Sequence, residues 1–471
     1  RFISCTLYSQ AKVLTKPPPK SDPITTEALY PTLDALLKAA KAAGAESADA
    51  VATHGRSLGI AVRDNALEDV ESTEGRDIGL RVMIGKRQAC VSSSDLSPSS
   101  IQALAERAVA MAKLAPEDPY CGLPDTALLS APGGADVLDV WDDTVMDPVT
   151  LKSRAHELEA AALSVKGVSQ AEGANASWTT SAFSYATSHG FRDGWRASRH
   201  GLSVSAIAEQ NGGMERDYDY ESKRYFASLP DPAKVGVQAG QRAIARLGSR
   251  QIPSASLPIL FDERVSGSLL AALLGAISGP AITRGVSFLK DELGQAIFAP
   301  HIQVLEDPLL PRGDGSRPWD GEALAVKKRH IIKDGILQTW LLNMSSARQL
   351  EMDPTGHATR GIGSPPGVSA TNTWIAAGTK SPEQLMAEIG EGFLIAEMFG
   401  PSLNSNTGDY SVGVSGFKIE NGARAYPVSE VTIAGNLKNM FKTMIPASDL
   451  KMDSAANAPS LLCEGLTLAG S

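Results

Sequence analysis

The chain has 471 residues, of which 43% are hydrophobic and 21% charged, and its net charge is −9. These values are typical of a globular protein with more than one core, and the acidic balance argues against a broad nucleic-acid-binding surface. The four cysteines lie far apart and form no CxxC pair, which excludes a disulfide framework and a Cys-rich zinc module. Such cysteine usage fits a reducing compartment, and we expect a cytoplasmic protein.

The first predicted segment, residues 1–25, is a leader without ordered structure. It contains no acidic residue before Asp22 and passes through a Pro17-Pro18-Pro19 spacer. Two interpretations stay open, a transit-like leader and a start-site artefact.

Residues 26–115 predict an α+β subdomain. Leucines at helical spacing from Leu29 to Leu37 predict a first helix that ends at Gly44, and Ser97–Ser100 predict the start of a second one. Between them, strand-like pieces are expected at 48–53, 58–63 and 78–84, with glycines at positions 75 and 85 as breaks.

Residues 116–150, rich in proline and glycine, predict a connector. Residues 151–250 then predict a second part of the N-terminal domain. Helices are expected at 151–165 and 231–246, with short strands between 168 and 209, and Ser188-His189-Gly190 predicts a tight turn.

Residues 255–471 predict a β-rich C-terminal domain. The uncharged stretch 265–283 has nearly the length of a membrane span, but its glycines and Pro280 favour a buried helix of small residues. A further helix is expected at 382–398, followed by strands at 411–419, 424–427 and 431–433. Asn421-Gly422 predicts a hairpin turn, because both residues tolerate a positive φ.

Motifs for independent chemistry are missing from the sequence. No two of the seven histidines lie within six residues of each other, which excludes HExxH, and neither a G-x-S-x-G elbow nor a phosphate loop is present. Cys463 lies in an apolar run and is interpreted as a packed thiol. His200 is either a base or ligand, or a hydrogen-bonded sheet residue. Asp409 either caps a turn or holds a peptide backbone.

Several segments resemble the TldD/PmbA family, also known as modulators of DNA gyrase. They are Gly408-Asp409-Tyr410-Ser411, the run 416–422, Tyr426-Pro427-Val428, the run 433–437 and, in the N-terminal half, the runs 188–195, 198–200 and 214–218. The resemblance extends over residues 40–470. It implies an N-terminal α+β domain, a β-rich C-terminal domain and a cytosolic dimer that encloses a cavity, with zinc in one type of subunit.

In the catalytic branch of that family, an HExxxH helix and a later cysteine supply the zinc ligands and the catalytic Glu. Aligned on the shared glycine, this chain has Ala271 and Ala276 at the two His positions and Ala272 at the Glu position. The third ligand position falls near Ala458, several residues before Cys463. The resemblance therefore implies the TldE/PmbA branch, without catalytic residues, metal or cofactor of its own.

The expected function is that of a non-catalytic subunit of a zinc peptidase that acts on unfolded peptides. Its expected partners are a zinc-bearing TldD-type subunit, a second copy when alone, and the peptide, but neither nucleic acid nor membrane. The alternatives are a regulatory protein-binding module and a self-sufficient hydrolase around His189 and His200. Seven residues are predicted to lie at a peptide groove or interface: His189, His200, Arg216, Asp409, Tyr410, Phe417 and Asn436.

Two structural expectations follow. Residues 269–277 should be fully buried, so that Ala271→Asp would damage folding. The tail between Ser411 and Ile433 should carry the subunit interface, so that Phe417→Asp would abolish the complex.

Overall fold

A computed structural model describes residues 24–470 of the chain; the predicted leader lies almost entirely outside this range. The N-terminal half contains α1 (Tyr30–Ala43), β1 (Ser47–Arg63), β2 (Ala66–Ile84), β3 (Arg87–Ser93), α2 (Pro98–Leu114), α3 (Pro148–Leu163), β4 (Val168–Thr187), β5 (Arg192–Gln210), β6 (Gly213–Lys223) and α4 (Pro232–Ala245). Short 3-10 helices lie at Glu27–Leu29, Thr126–Leu128, Asp136–Leu138 and Phe226–Ser228.

One antiparallel sheet, in the order β3-β2-β1-β4-β5-β6, joins the two predicted parts of the N-terminal domain. All four of its helices lie on one face. Ala50 packs in the core under α1 and α2, and Ile60 packs in the core under α3 and α4. These two residues of β1 are separated by an even number of positions and therefore point to the same side.

The strands of this sheet are longer than predicted. The pieces at 48–53 and 58–63 belong to the single strand β1, and position 75, predicted as a break, pairs with Gly55 inside the β1–β2 ladder. Likewise, the short strands expected between 168 and 209 are the long strands β4 and β5. Pairing within the β1–β2 ladder compensates for the glycines, whose low strand propensity had suggested interruptions.

The C-terminal half contains β7 (Ala255–Phe261), α5 (Glu263–Ala276), α6 (Gly279–Thr283), β8 (Val304–Glu306), β9 (Arg329–Lys333), β10 (Ile336–Leu337), α7 (Met344–Gln349), β11 (Ala358–Thr359), β12 (Gly367–Val368), β13 (Thr373–Ile375), α8 (Pro382–Ile389), β14 (Gly392–Leu403), β15 (Asp409–Glu420), β16 (Ala423–Asn436), α9 (Leu437–Thr443), β17 (Ile445–Pro446), β18 (Ala456–Asn457) and β19 (Leu461–Ala469). Within residues 24–470, no helix combines the length and the apolar character that crossing a membrane requires.

Five C-terminal strands close into a ring. They follow the order β16-β15-β14-β7-β19, and β16 also pairs with β19. The predicted hairpin turn is confirmed, with φ of 52° at Asn421 and 75° at Gly422. The helix predicted over 382–398 is wrong in its second half: α8 ends at Ile389, and the following residues form β14, whose Phe393 and Ile395 are fully buried in the ring's core.

Candidate functional site

Helix α5, which carries the three alanines, has one buried and one open side. It begins after Asp262, whose side chain accepts a hydrogen bond from the Arg264 amide at 3.0 Å. The buried side packs three leucines into the C-terminal core: Leu269, Leu270 and Leu273. The other side carries small residues, and at Gly275 an added Cβ would meet no atom within 4 Å. This side of the helix therefore has room for a ligand or another chain.

The prediction that residues 269–277 are all buried is wrong. Ala271 is exposed, Ala272 is half-buried, and Ala276 is buried in the core. Positions five residues apart are turned by about 140° around an ideal helix, so the two positions aligned with zinc-binding histidines point to different sides of α5. A carboxylate introduced at Ala271 would point to solvent and not into the core.

The segment predicted to hold the third ligand position does lie against α5. The Ser266 hydroxyl donates to the Ala458 carbonyl at 3.2 Å, and a Cβ on Gly267 would lie 3.5 Å from the Ala456 carbonyl. Alanine offers no donor atom, so zinc does not fit these residues. Within residues 24–470, no group of three His, Cys, Asp or Glu side chains is arranged to hold a metal. Cys463 is fully buried on β19, and burial raises the pKa of its thiol.

A groove, which we call the β6 groove, runs between β6, α5 and residues 450–458. It consists of two adjoining cavities of about 430 and 580 Å³ that share Ser222, Asp453 and Ser454. The larger cavity includes apolar side chains from the C-terminal domain: Leu310, Pro311, Trp374, Leu450 and Met452. The open side of α5 borders the smaller one through Gly267.

The outer edge of β6 has backbone groups that no strand uses. The Tyr218 amide donates to its neighbour Asp217 at 2.7 Å, and its carbonyl accepts from Arg242 and Arg264, so both groups point away from β5. The β5–β6 register has no shift, and backbone direction alternates along an antiparallel strand. The backbone groups of Tyr220 and Ser222 therefore face the groove as well.

Charged side chains of the groove pair with one another. Arg264 contacts Asp217 at 2.8 Å, and Arg242 contacts Asp219 at 2.5 Å. Further pairs are Lys223 with Asp453, at 2.6 Å, and Lys451 with Glu263. Burial raises the pKa of Glu263, although Lys451 opposes this effect. With cations and acids balanced, the groove does not select strongly for the net charge of an occupant.

The histidines predicted from sequence do not form a common site. His189 is exposed in the turn before β5, whereas His200 is 1% exposed within β5 and lies 3.2 Å from Asp142. Burial lowers the pKa of His200, although Asp142 opposes this effect. Ten residues separate them, and the chain from Arg192 to His200 alone is roughly 26 Å of strand. Arg216 is exposed on β6.

The predicted residues of the tail have structural partners. Asp409 accepts hydrogen bonds from Thr407 at 2.6 Å and Asn436 at 2.9 Å, and Asn436 also caps α9. Tyr410 is 5% exposed, and burial raises its pKa to about 12. Phe417, predicted as an interface residue, is 6% exposed and packs in a core cluster of its own domain. Its ring is therefore unavailable to a partner, contrary to the prediction.

Sequence reasoning missed two aromatic residues of the groove, Tyr218 and Tyr220. Their rings stack with centroids 6.3 Å apart and remain 39% and 58% exposed, and the Arg264 guanidinium lies 4.8 Å from the Tyr218 centroid. The sequence did contain a signal for these two residues. Large side chains alternate along β6, which places them on one face of the strand: Met214, Arg216, Tyr218 and Tyr220.

Sequence reasoning also missed the contact between the domains, which we call the junction cluster: Asp49, Arg81, Arg360 and Trp319. The Asp49 carboxylate accepts from Arg81 Nε at 2.5 Å and from Arg360 Nε at 2.8 Å, and all three side chains are buried. Trp319 of the C-terminal domain is fully buried against aromatic rings of the N-terminal domain. These contacts hold the two domains together.

Comparison with known sequences gives three matches to domains of the PmbA/TldA metallopeptidases. Domain 1 matches residues 48–112, the central domain 139–247 and the C-terminal domain 254–470. The chain is 35% identical over 450 residues to metalloprotease PmbA of Escherichia coli O157:H7, covering 95% of this chain and 96% of that protein. It is 32% identical to the PmbA homolog of Haemophilus influenzae, covering 90% and 92%.

Solved structures share the fold over nearly the whole chain. A candidate modulator of DNA gyrase from Bacteroides thetaiotaomicron superposes with a TM-score of 0.87 at 22% identity, covering 95% of this chain and all of that one. TldE from Thermococcus kodakarensis gives 0.80 at 18% identity, covering 93% and all of that chain. Together with the matched domains, these similarities show that the chain belongs to the PmbA/TldD metallopeptidase family.

Proposed function

We propose that this chain is the non-catalytic subunit of a cytoplasmic peptidase, which holds an extended peptide while a zinc-bearing TldD-type subunit cleaves it. The observation that carries the proposal is the combination found at α5. The positions aligned with the zinc ligands are alanines, yet the helix still borders an open groove with an unpaired strand edge. A binding surface is retained where the donors for catalysis are absent.

The β6 groove suits an extended peptide of varied sequence. A strand edge binds main-chain groups, which every peptide offers, and neighbouring pockets accept alternate side chains. The apolar cavity around Trp374 and Met452 would receive apolar side chains, which unfolded segments expose. The self-sufficient hydrolase is disfavoured, because His189 lies in the turn before β5, far from His200 along that strand, and His200 is buried.

The first experiment mixes the chain with the TldD-type subunit of the same genome. We expect a stable complex by size-exclusion chromatography with light scattering, zinc only in the partner, and hydrolysis of an unfolded peptide only when both chains are present. If the partner alone cleaves at the full rate, the proposal fails and the regulatory role takes its place. Stoichiometric zinc in the isolated chain would also contradict it.

The second experiment tests the strand edge. Ser222→Pro removes one amide N–H that faces the groove and leaves the β5–β6 ladder intact, as proline is tolerated on the free side of an edge strand. Ser222→Ala is the matched control, because it removes the hydroxyl and keeps the N–H. We expect the proline variant to form the complex but to hydrolyse peptide several-fold more slowly. The slower rate should come from a higher KM, with kcat unchanged. Equal rates for both variants would exclude strand addition at this edge.

A further inference from the structure

A third cavity, of about 420 Å³, lies where the N-terminal sheet meets the C-terminal domain. Its walls come from β2, β3 and residues 118–122 on one side, and from α6, α7 and residues 365–366 on the other. It shares no lining residue with the β6 groove. An occupant of this junction cavity would therefore not compete with a peptide in that groove.

The floor of the junction cavity is built from buried polar side chains. Arg81, Glu322 and Asn343 are 3%, 2% and 4% exposed. Each is fixed by a neighbour: Arg81 Nε donates to Asp49, one Glu322 oxygen accepts from the Met344 amide at 2.7 Å, and the Asn343 amide donates to the Pro366 carbonyl at 2.8 Å. The floor thus exists before any ligand arrives, which lowers the entropic cost of binding.

The wall opposite α7 is held just as firmly. Arg348 extends from α7 and donates to three carbonyls of the N-terminal domain, those of Tyr120 at 2.9 Å, Gly122 at 3.1 Å and Leu123 at 2.7 Å. Because one guanidinium binds three carbonyls within residues 120–123 of the facing segment, the cavity has a defined width. Its volume lies in the range of small-molecule sites, roughly 300–1,000 Å³.

The charges around the cavity are of both signs. Arg81 lies on the floor and the exposed Arg284 on the rim, with Glu322 on the floor and Asp118 on the wall. Asp49 is shared between Arg81 and Arg360, so a single carboxylate compensates two buried guanidinium groups.

Burial, reinforced by Asp320, raises the pKa of Glu322 to about 7, and its carboxyl group is then able to donate or accept a proton near neutral pH. Buried groups of this kind favour a polar occupant that satisfies both signs.

We propose that the junction cavity binds a small zwitterion, a free amino acid or dipeptide, whose carboxylate pairs with Arg81 and Arg284 and whose ammonium group pairs with Glu322 and Asp118. Prolines of the rim, Pro280, Pro365 and Pro366, border the remaining space and accept an apolar side chain. The site requires neither a partner subunit nor the β6 groove, so this proposal and the proposed function can fail independently.

The test uses L-alanyl-L-alanine as the probe, with the full chain, in isothermal titration calorimetry. N-acetyl-alanyl-alanine lacks the ammonium group, and alanyl-alanine amide lacks the carboxylate. Each loses a charge-assisted contact, so we expect each to bind at least ~10-fold more weakly than the free dipeptide. Equal affinity of all three compounds, binding of none of them, or displacement of the dipeptide by inorganic phosphate at equal concentration would overturn the proposal.

Variants locate the site. Ser345→Leu fills the cavity from α7 and should abolish dipeptide binding, and Glu322→Gln should weaken it at least ~10-fold by removing the ionisable partner of the ammonium group. Arg216→Ala, on the exposed face of β6, is the control and should bind as the unaltered chain does. If Ser345→Leu folds by circular dichroism and still binds the dipeptide with unchanged affinity, the site lies elsewhere and the proposal is wrong. Ser345 lies at the half-buried surface of α7, so this variant keeps the test valid even if Glu322→Gln fails to fold.

Discussion

The junction cluster and the β6 groove both lie between the two domains and both pair cations with acids, but they differ in solvent access. In the junction cluster, Asp49 and Arg360 are fully buried, and burial alone would raise the pKa of Asp49. Arg360 and Arg81 outweigh burial and hold that pKa below its ordinary value. In the groove, Lys451 and Asp453 remain about half exposed.

This difference separates what stabilises the protein from what is available for binding. A charge that is buried with its partner depends on that partner, because water cannot replace it. A partly exposed pair is screened by solvent and contributes little. We therefore expect substitutions in the junction cluster to change the free energy of unfolding, and substitutions along the groove to change binding. Four predictions test this contrast.

The largest effect is expected at Asp49. Asp49→Ala leaves two buried guanidinium groups without their shared carboxylate, which should lower the free energy of unfolding by about 3–5 kcal/mol. Urea unfolding followed by circular dichroism measures the change. Asp69→Ala, an exposed position on β2, is the control and should have little effect. If Asp49→Ala lowers the free energy of unfolding by less than about 1 kcal/mol, which is the range of exposed ion pairs, the junction cluster does not differ from the groove in its contribution to stability.

Phe417→Ala should have the next largest effect, because it tests whether the tail residue is core or contact surface. Removal of a buried ring should cost about 3 kcal/mol or more, whereas Phe399→Ala, with half of its ring exposed, should cost much less. Thermal unfolding of the isolated chain measures both. If the two variants melt alike and only Phe417→Ala loses the TldD-type partner, Phe417 is an interface residue after all.

A pH-dependent effect is expected at Glu322. Its carboxyl group has a pKa of about 7 in the fold, above its ordinary value near 4.3, so the protonated form is the one that the fold favours. The stability that this proton contributes is complete below about pH 4, and it is lost as pH rises through about 7.

Glu322→Gln removes this ionisation. The free energy of unfolding of the variant should therefore exceed that of the unaltered chain by about 1–3 kcal/mol at pH 8, and the two values should be equal at pH 4.5. Urea titrations at both pH values measure the difference. Glu71→Gln, at an exposed position of β2, should show no such pH dependence. A Glu322→Gln variant that is less stable at both pH values would show that the carboxylate is needed in its ionised form.

The smallest effect is expected on the open side of α5. Ala271→Asp places a carboxylate in solvent and should change the free energy of unfolding by less than about 0.5 kcal/mol, as surface substitutions do. Its neighbour Leu270, fully buried, provides the contrast, since Leu270→Asp buries an unpaired carboxylate and should prevent stable folding. Equal damage from both variants would mean that Ala271 is covered in the folded chain.

Helix positions and the Asn421-Gly422 turn could be predicted from sequence, because capping residues, apolar spacing and positive-φ residues act within a few neighbours. Strand lengths could not. Position 75 looks like an interruption along the chain, yet it pairs with Gly55 across the β1–β2 ladder. The region 390–398 has a helical pattern, but its pairing with β7 and β15 makes it a strand.

The sequence by itself determined the family and the alanines at the aligned ligand positions, since identity at a position needs no coordinates. Only the tertiary structure decided which side of α5 is open, that Phe417 is buried, and that β6 has a free edge beside Tyr218 and Tyr220. These properties arise from contacts between residues far apart along the chain. The junction cluster is the clearest case, because Asp49 and Arg360 are 311 positions apart and meet only when both domains are folded.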